Sequence, residues 1–105
     1  MGTEINKKGT QLWYDDVTGE LHRDDGPAIV VPDGREYWYQ HGQLHRDGGP
    51  ALVDPDVKQE WYQYGKLHRE DGPAIICSSG SQHWCLTGIE FTKEDYLDML
   101  ETLQH

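Results

Sequence analysis

The chain repeats itself every 23 residues, the interval from Gly19 to Gly42 and again from Gly42 to Gly65. Each of these glycines begins the pattern Gly-x-Leu-His-Arg-x-x-Gly-Pro-Ala, and a degenerate copy begins at Gly88. A unit this short cannot bury a hydrophobic core alone, so each copy must pack against its neighbours. The constant interval therefore predicts a stack of similar units. The tryptophans that keep this interval are Trp38, Trp61 and Trp84.

Each unit is predicted to be a β-hairpin. Residues 28–31 and 36–40 are rich in β-forming side chains and flank an Asp-Gly pair at residues 33–34, which is a strong hairpin signal. A second reversal is predicted at residues 41–42 and 64–65. The first copy of that reversal carries a two-residue insertion. We therefore predict a mainly β fold, a single-sheet meander of hairpin repeats.

The predicted turn also sets a register. A two-residue turn at residues 33–34 pairs Ile29 with Trp38 and Ala28 with Tyr39. We expect the face that carries the tryptophans to form the core. We expect the face that carries the tyrosines to stay partly wet, because each hydroxyl requires a hydrogen-bond partner.

The C-terminal segment changes period and is predicted to be a capping α-helix. Thr92 is the expected N-cap, and the helix is expected to cover about residues 93–104. Its apolar stripe is predicted to cover the open end of the sheet, where an unpaired strand would attract another chain. The residues of this stripe are Tyr96, Met99, Leu100 and Leu103.

Composition limits the classes of function. The 19 acidic residues against 9 basic ones give a net charge of −10, which would repel phosphate backbones and anionic lipids. We therefore predict binding to neither nucleic acid nor membrane. The longest apolar run, residues 28–31, is far too short to span a bilayer, and no signal segment is recognisable, so we predict a soluble cytoplasmic protein.

The two cysteines are too few for a disulfide scaffold or a four-cysteine zinc site. The predicted register places Cys85 opposite Ala74, on the other face of the sheet from Cys77. A disulfide between the two cysteines is therefore not expected.

The units resemble the MORN (membrane occupation and recognition nexus) repeat. They resemble more closely a divergent branch, Trp-Tyr-x-x-Gly-x-Leu-His-Arg-x-Asp-Gly-Pro-Ala, of small proteins from tailed phages and some bacteria. Residues 61–74 match this pattern throughout, whereas Gly48 and Cys85 depart from it. The resemblance implies a β-hairpin solenoid that contacts other proteins and has no shared active site. We divide the chain into an N-terminal lead-in, the repeats and the helix, at 1–12, 13–90 and 91–105.

The recurring His-Arg pairs could form a metal or proton-transfer ladder, but a structural role is the stronger interpretation. Residues one repeat apart are separated along the stack and do not converge on one ion. Cys77, His83 and Cys85 match no common zinc spacing. No nucleophile motif or phosphate loop is present, so we predict no catalytic residue, cofactor or metal. The residues assigned to the structure of the repeat are His22, Arg23, His45, Arg46, His68, Arg69, Trp38, Trp61 and Trp84.

The acidic balance favours a binding module that meets the basic surface of a nucleic-acid-handling host protein. By analogy with short acidic phage proteins that imitate nucleic acid, this would be an anti-CRISPR-like inhibitor of a host defence. One alternative is a small-ligand or nucleotide binder that stacks its ligand on the aromatic row, and another is a homodimer that covers an exposed sheet edge. The predicted partner-binding residues are Asp15, Asp16, Tyr39, Asp54, Asp56, Tyr62, Tyr64, Glu94, Asp98 and Glu101.

Overall fold

A computed structural model describes residues 2–103. The strands and the helix of this part follow one another as β1 (Gly2–Ile5), β2 (Gln11–Tyr14), β3 (Ile29–Val30), β4 (Glu36–Tyr37), β5 (Tyr39–Gln40), β6 (Gln43–Leu44), β7 (Leu52–Asp54), β8 (Lys58–Glu60), β9 (Tyr62–Gln63), β10 (Lys66–Leu67), β11 (Ile75–Cys77), β12 (Gln82–Leu86), β13 (Ile89–Phe91) and α1 (Lys93–Leu103).

Nine of these strands form one antiparallel sheet in the order β1-β2-β3-β4-β7-β8-β11-β12-β13. The hairpins β5–β6 and β9–β10 are separate two-stranded sheets. A complete repeat thus adds two strands to the main sheet and one short hairpin beside it. The predicted fold, a mainly β single-sheet meander with a C-terminal helix, is confirmed.

The predicted register is wrong by one residue. The loop between β3 and β4 holds three residues, because the N–H of Val31 bonds to Arg35 O at 2.9 Å and the N–H of Gly34 bonds to Val31 O at 2.9 Å. Gly34 has a φ of 101°, as in a type I turn followed by a left-handed residue. Ile29 therefore pairs with Tyr37 instead of Trp38.

The same extra loop residue shifts the other predicted pairs. Ile75 pairs with His83, so the expected pairing of Cys85 with Ala74 is also wrong. The expected pairing of Ala28 with Tyr39 fails in the same way, because the N–H of Ala28 bonds to the carbonyl of Tyr37.

The second reversal is confirmed at residues 41–42 and 64–65. Both residues of the first turn have left-handed backbones, with φ of 50° at His41 and 78° at Gly42. This is the type I′ geometry that suits a two-residue hairpin loop. In the first copy, Asp15 N bonds to Glu20 O across a four-residue loop, so the two-residue insertion is confirmed as well.

The core differs from the prediction, which placed the tryptophan row inside. Ala28, Ala51 and Ala74 are completely buried, whereas the tryptophans are half-buried. The corrected register explains this, because the backbone N–H groups of Trp13, Trp38 and Trp61 each bond to one of these alanines, as Trp38 N does to Ala51 O at 2.6 Å. The small side chain lets neighbouring strands and loops pack closely at this point.

The helix begins as predicted, with the Thr92 hydroxyl accepting a hydrogen bond from the N–H of Asp95 at 3.1 Å. Its last described residue is Leu103, so the predicted end at Gln104 lies outside the described residues. Tyr96 is 1% exposed and packs on the end of the sheet, but Met99 and Leu103 are 40% and 59% exposed. Leu100 is half-buried, so the predicted stripe is buried only in part, at Tyr96 and Leu100.

Within residues 2–103, the single helix is too short and too polar to cross a lipid bilayer.

Candidate functional site

Three loops, residues 22–27, 45–50 and 68–73, connect the sheet and the short hairpins of successive repeats. They lie side by side, and two grooves run between them. We call this surface the loop face. It contains all three copies of the His-Arg pair, so the side chains of the repeated motif make their contacts here.

Each arginine of the loop face places its guanidinium over the ring of a tryptophan that precedes it in the chain. The guanidinium carbon is 4.0, 3.7 and 3.9 Å from the ring centroid in the three loops. In each loop Nη1 also donates a hydrogen bond of 3.1 Å to the carbonyl of the proline in Gly-Pro-Ala. The cation–π contact and the hydrogen bond fix the guanidinium and cover one side of the indole. The three pairs are Arg23–Trp13, Arg46–Trp38 and Arg69–Trp61.

The glycine of Gly-Pro-Ala is required by this arrangement. A Cβ at Gly49 would lie 2.9 Å from Cζ of Arg46, and Gly26 and Gly72 are equally close to their arginines. Any side chain at these positions would displace the guanidinium from the tryptophan. The close approach of the arginine side chain to the backbone thus explains why glycine recurs at this position.

Each histidine joins its own repeat to the next one. His45 Nδ1 accepts a hydrogen bond from the N–H of Tyr64 at 3.0 Å, and His22 and His68 make the same contact with residues 41 and 87 at 2.9 Å. Because Nδ1 is an acceptor, the neutral ring carries its proton on Nε2. We call this contact the histidine latch. It satisfies a backbone N–H of the type I′ turn that would otherwise lack a partner.

On its other side, each histidine faces a carboxylate of its own loop. Nε2 is 2.8 Å from Asp24, 3.3 Å from Asp47 and 2.8 Å from Glu70. The proton on Nε2 points at these carboxylates. The loop carboxylates are therefore held in place by groups of the repeat itself.

A glutamine completes each junction between repeats. Gln40 donates to the carbonyl of Arg23 at 2.8 Å, and Gln63 donates to the carbonyl of Arg46 at 2.9 Å. After the last repeat, the Tyr96 hydroxyl of α1 donates to the carbonyl of Arg69. Sequence analysis did not single out these glutamines, although their 23-residue spacing was visible.

The loop face presents carboxylates to solvent. The side chains of Asp24, Asp25, Asp47, Glu70 and Asp71 are 57% to 89% exposed. None of them was among the predicted partner-binding residues, because the motif containing them was assigned to structure. Arg69 Nε donates a hydrogen bond to Asp71 at 2.8 Å, and this bond lowers the pKa of that carboxyl.

The structure does not bring the predicted acidic residues together. Asp15 caps its own loop, and its bonds from the N–H groups of Thr18 and Val17 lower its pKa. In an antiparallel meander successive connections alternate between the two ends of the strands. Asp16 therefore lies at the end of the strands opposite to Asp56. The helix carboxylates are exposed beyond the last repeat, and they are Glu94, Asp98 and Glu101.

The predicted tyrosines have three different environments. Tyr64 is 71% exposed and packs its ring 4.5 Å from that of His45, at the rim of both grooves. Tyr62 is half-buried and donates to the buried carboxylate of Glu60 at 2.7 Å, and burial raises its pKa strongly. Tyr39 is also half-buried, and burial raises its pKa. Of these three tyrosines, Tyr64 therefore offers the largest exposed surface to another molecule.

Negative charge is concentrated at two places along the chain. Residues 15–25 and residues 90–101 each hold five carboxylates and one cation. Nearly all of the net charge thus belongs to the first loops and to the helical end of the stack.

Both cysteines are free, and burial raises the pKa of Cys85. Within residues 2–103, His, Cys, Asp and Glu form no group of three or more that is placed to hold a metal ion. No protein-family model matches the chain, and neither a curated protein nor a solved structure shows significant similarity to it.

Proposed function

We propose that the protein is a non-catalytic binding module whose carboxylates dock onto a basic surface of another protein. The observation that carries the proposal is the fixed, outward orientation of the loop-face carboxylates. Each uses part of its hydrogen-bonding capacity on a histidine or arginine of its own loop and keeps the rest exposed. Such groups lose little conformational freedom when a cationic partner binds.

The repeat sets the spacing of this surface. Each repeat adds two strands about 4.8 Å apart, so equivalent carboxylates recur about every 10 Å. This interval suits successive lysine or arginine side chains of a basic groove. It is wider than the spacing of about 7 Å or less that imitates neighbouring phosphates, so the proposed mimicry of nucleic acid lies in charge more than in phosphate geometry.

A non-catalytic role is supported by how the chemically active side chains are used. The histidines bond to backbone N–H groups and the arginines stack on tryptophans. With the resemblance to repeats of small phage proteins, this supports an inhibitor that acts in the bacterial cytoplasm on a nucleic-acid-handling host protein.

The test is capture of a partner from bacterial lysate by the tagged protein, with identification by mass spectrometry and affinity measured at rising salt. We expect a nucleic-acid-handling protein whose affinity falls steeply with salt, because exposed charge pairs are screened beyond about 8 Å at physiological ionic strength. Partners that bind equally well at high salt would contradict the proposal.

Two matched charge variants locate the surface. Asp24→Asn with Asp25→Asn removes two of the five exposed carboxylates of the loop face, and Asp54→Asn with Asp56→Asn removes two carboxylates at the other end of the strands. We expect the first pair to weaken binding about tenfold, equivalent to about 1.4 kcal/mol, and the second to change it much less. Equal affinity of both variants and the wild type would exclude the first loop from the docking surface and contradict docking through the whole loop face.

A further inference from the structure

The second loop of the loop face differs from the other two at the second residue after the arginine. Arg23 Nε donates to Asp25 at 3.2 Å, and Arg69 Nε donates to Asp71 at 2.8 Å. The second loop has Gly48 at this position. Within residues 2–103, Arg46 consequently forms no ion pair.

Arg46 nevertheless keeps the pose of the other two arginines. Its guanidinium lies 3.7 Å over Trp38, and Nη1 donates to Pro50 O at 3.1 Å, the same distance as in the first and third loops. The Cβ position at Gly49 is 3.0 Å from Nε of Arg46. The Nε–H of Arg46 therefore points to the position that the carboxylate of Asp25 or Asp71 occupies in the first and third loops.

Open space lies at this place. A groove of about 770 Å³ runs between the second and third loops, and Arg46, Gly48 and Trp61 line it. A Cβ on Gly48 would meet no atom within 4 Å. A volume of this size is within the range of about 300–1,000 Å³ of small-molecule sites.

Two cationic side chains of the groove are without an ion pair among the described residues, Arg46 and Lys66. The carboxylates that line its other wall, Glu70 and Asp71, already bond to His68 and Arg69. The ring of Trp38, over which Arg46 lies, also has a buried indole N–H with no acceptor among the described residues. The third carboxylate of the groove, Asp47, lies 3.3 Å from His45 Nε2 and forms no ion pair with Arg46, so the Nε–H of Arg46 has no carboxylate acceptor among the described residues.

The geometry points to an oxyanion site in this groove: a carboxylate or phosphate group of a small ligand bonds to Arg46 where the sister loops hold an aspartate. A guanidinium forms charge-assisted, planar hydrogen bonds with either group. Distant negative charge opposes this only weakly, because charges farther away than about 8 Å are largely screened at physiological salt. The carboxylates that line the groove each face a histidine or arginine of their own loop. The site gives the small-ligand alternative a position and a ligand class, and it does not depend on the acidic docking surface.

The rest of the ligand would lie along the groove between Trp61 and Tyr64. Tyr64 is exposed at the rim and can pack against an apolar or aromatic portion. The site therefore favours a small organic acid or phosphate that carries a flat group.

The test follows the arginine Nε–H signals in ¹H–¹⁵N NMR spectra during titration with acetate, inorganic phosphate and, as a control for ionic strength, chloride. We expect a saturable shift of the Arg46 signal with acetate, phosphate or both. We expect no such shift for Arg23 and Arg69, whose Nε–H groups already have carboxylate partners. The anion that saturates at the lower concentration assigns the ligand to organic acids or to phosphates.

Two reciprocal variants complete the test. Gly48→Asp supplies the missing carboxylate and should abolish the response of Arg46. Because Gly48 has a φ of 82°, this variant requires a change in the loop backbone, and Asp71→Gly provides a second, unstrained test. Asp71→Gly should make Arg69 respond to the anion as Arg46 does. The proposal is overturned if Arg46 shows no saturable shift, if all arginines move together, or if Asp71→Gly confers no response.

Discussion

The junctions between repeats and the junction at the C-terminal end make equivalent contacts with different side chains. Between repeats, Gln63 bonds to the carbonyl of Arg46. At the end, Leu86 replaces that glutamine in the sequence and Tyr96 from the helix bonds to the equivalent carbonyl of Arg69. The histidine latch is kept in both places.

The tryptophans show the same difference. Arg46 covers Trp38 between repeats, whereas Trp84 is contacted by Tyr96 at 5.1 Å between ring centroids and by Lys93 at 5.4 Å. The helix thus reproduces the contacts of a further repeat. It ends the stack because it provides the hydrogen-bond donor and the ring cover but no new strand.

The largest effect is expected at this cap. Tyr96→Ala removes the one fully buried helix side chain and should destabilise the protein by about 3–5 kcal/mol, as for other large buried aromatic side chains. Urea unfolding monitored by tryptophan fluorescence measures the change. Leu97→Ala, at a half-exposed position of the same helix, is the control and should cost little. Equal losses for the two variants would show that Tyr96 does not cap the stack.

The histidine latch should have the next largest effect. His45→Ala leaves the N–H of Tyr64 without its acceptor, which we expect to cost about 2–3 kcal/mol including the lost packing. The matched control is His83→Ala, which removes an exposed contact with Glu90. A loss at His45 no greater than that at His83 would contradict the latch.

A smaller effect is expected when the glutamine between two repeats is replaced by the leucine found at the C-terminal junction. Gln63→Leu reproduces Leu86 without a Tyr96 to replace the lost donor, so the Arg46 carbonyl is left unsatisfied at a cost of about 1–2 kcal/mol. Gln43→Leu, at an exposed position of the same hairpin type, is the control. If both variants are equally stable, the glutamine is not part of the junction.

The repeat could be predicted from sequence because its interval, its glycines and its strand-forming segments are all local signals. The register could not, because Asp-Gly fits a two-residue loop and also a three-residue loop that ends in a left-handed glycine. The one additional loop residue shifts the strand pairing, so the tryptophans do not occupy the predicted core positions.

The candidate site was predicted less well than the fold. Charge alone indicated carboxylates such as Asp54, but only the fold shows that they lie at the end of the strands opposite to the first loops. The unpaired state of Arg46 follows from comparing three loops in space. The sequence shows the departure at Gly48, but it does not show that the arginine keeps its pose.

The smallest predicted effect concerns the stability of the protein in acid. The Arg69–Asp71 pair of the third loop contributes to it, whereas the second loop has Gly48 at the position of this aspartate. The bond from Arg69 lowers the pKa of Asp71, so its contribution is present above the unfolded value of about 3.9 and is lost as pH falls through the folded value. Because the pair is exposed, Asp71→Asn should remove only about 0.2–1 kcal/mol at neutral pH and nothing at low pH. Urea unfolding at neutral and acidic pH measures this. A loss that is the same at both pH values would contradict it.

The most direct test of the account is the proton position on the three repeat histidines. A long-range ¹H–¹⁵N spectrum at mildly alkaline pH reports which ring nitrogen of His22, His45 and His68 carries the proton. We predict the Nε2–H form for all three, with Nδ1 unprotonated as the acceptor of the next repeat's backbone N–H. Protonated Nδ1, or the averaged signal of a freely exchanging imidazole, would show that the repeats are not joined in this way.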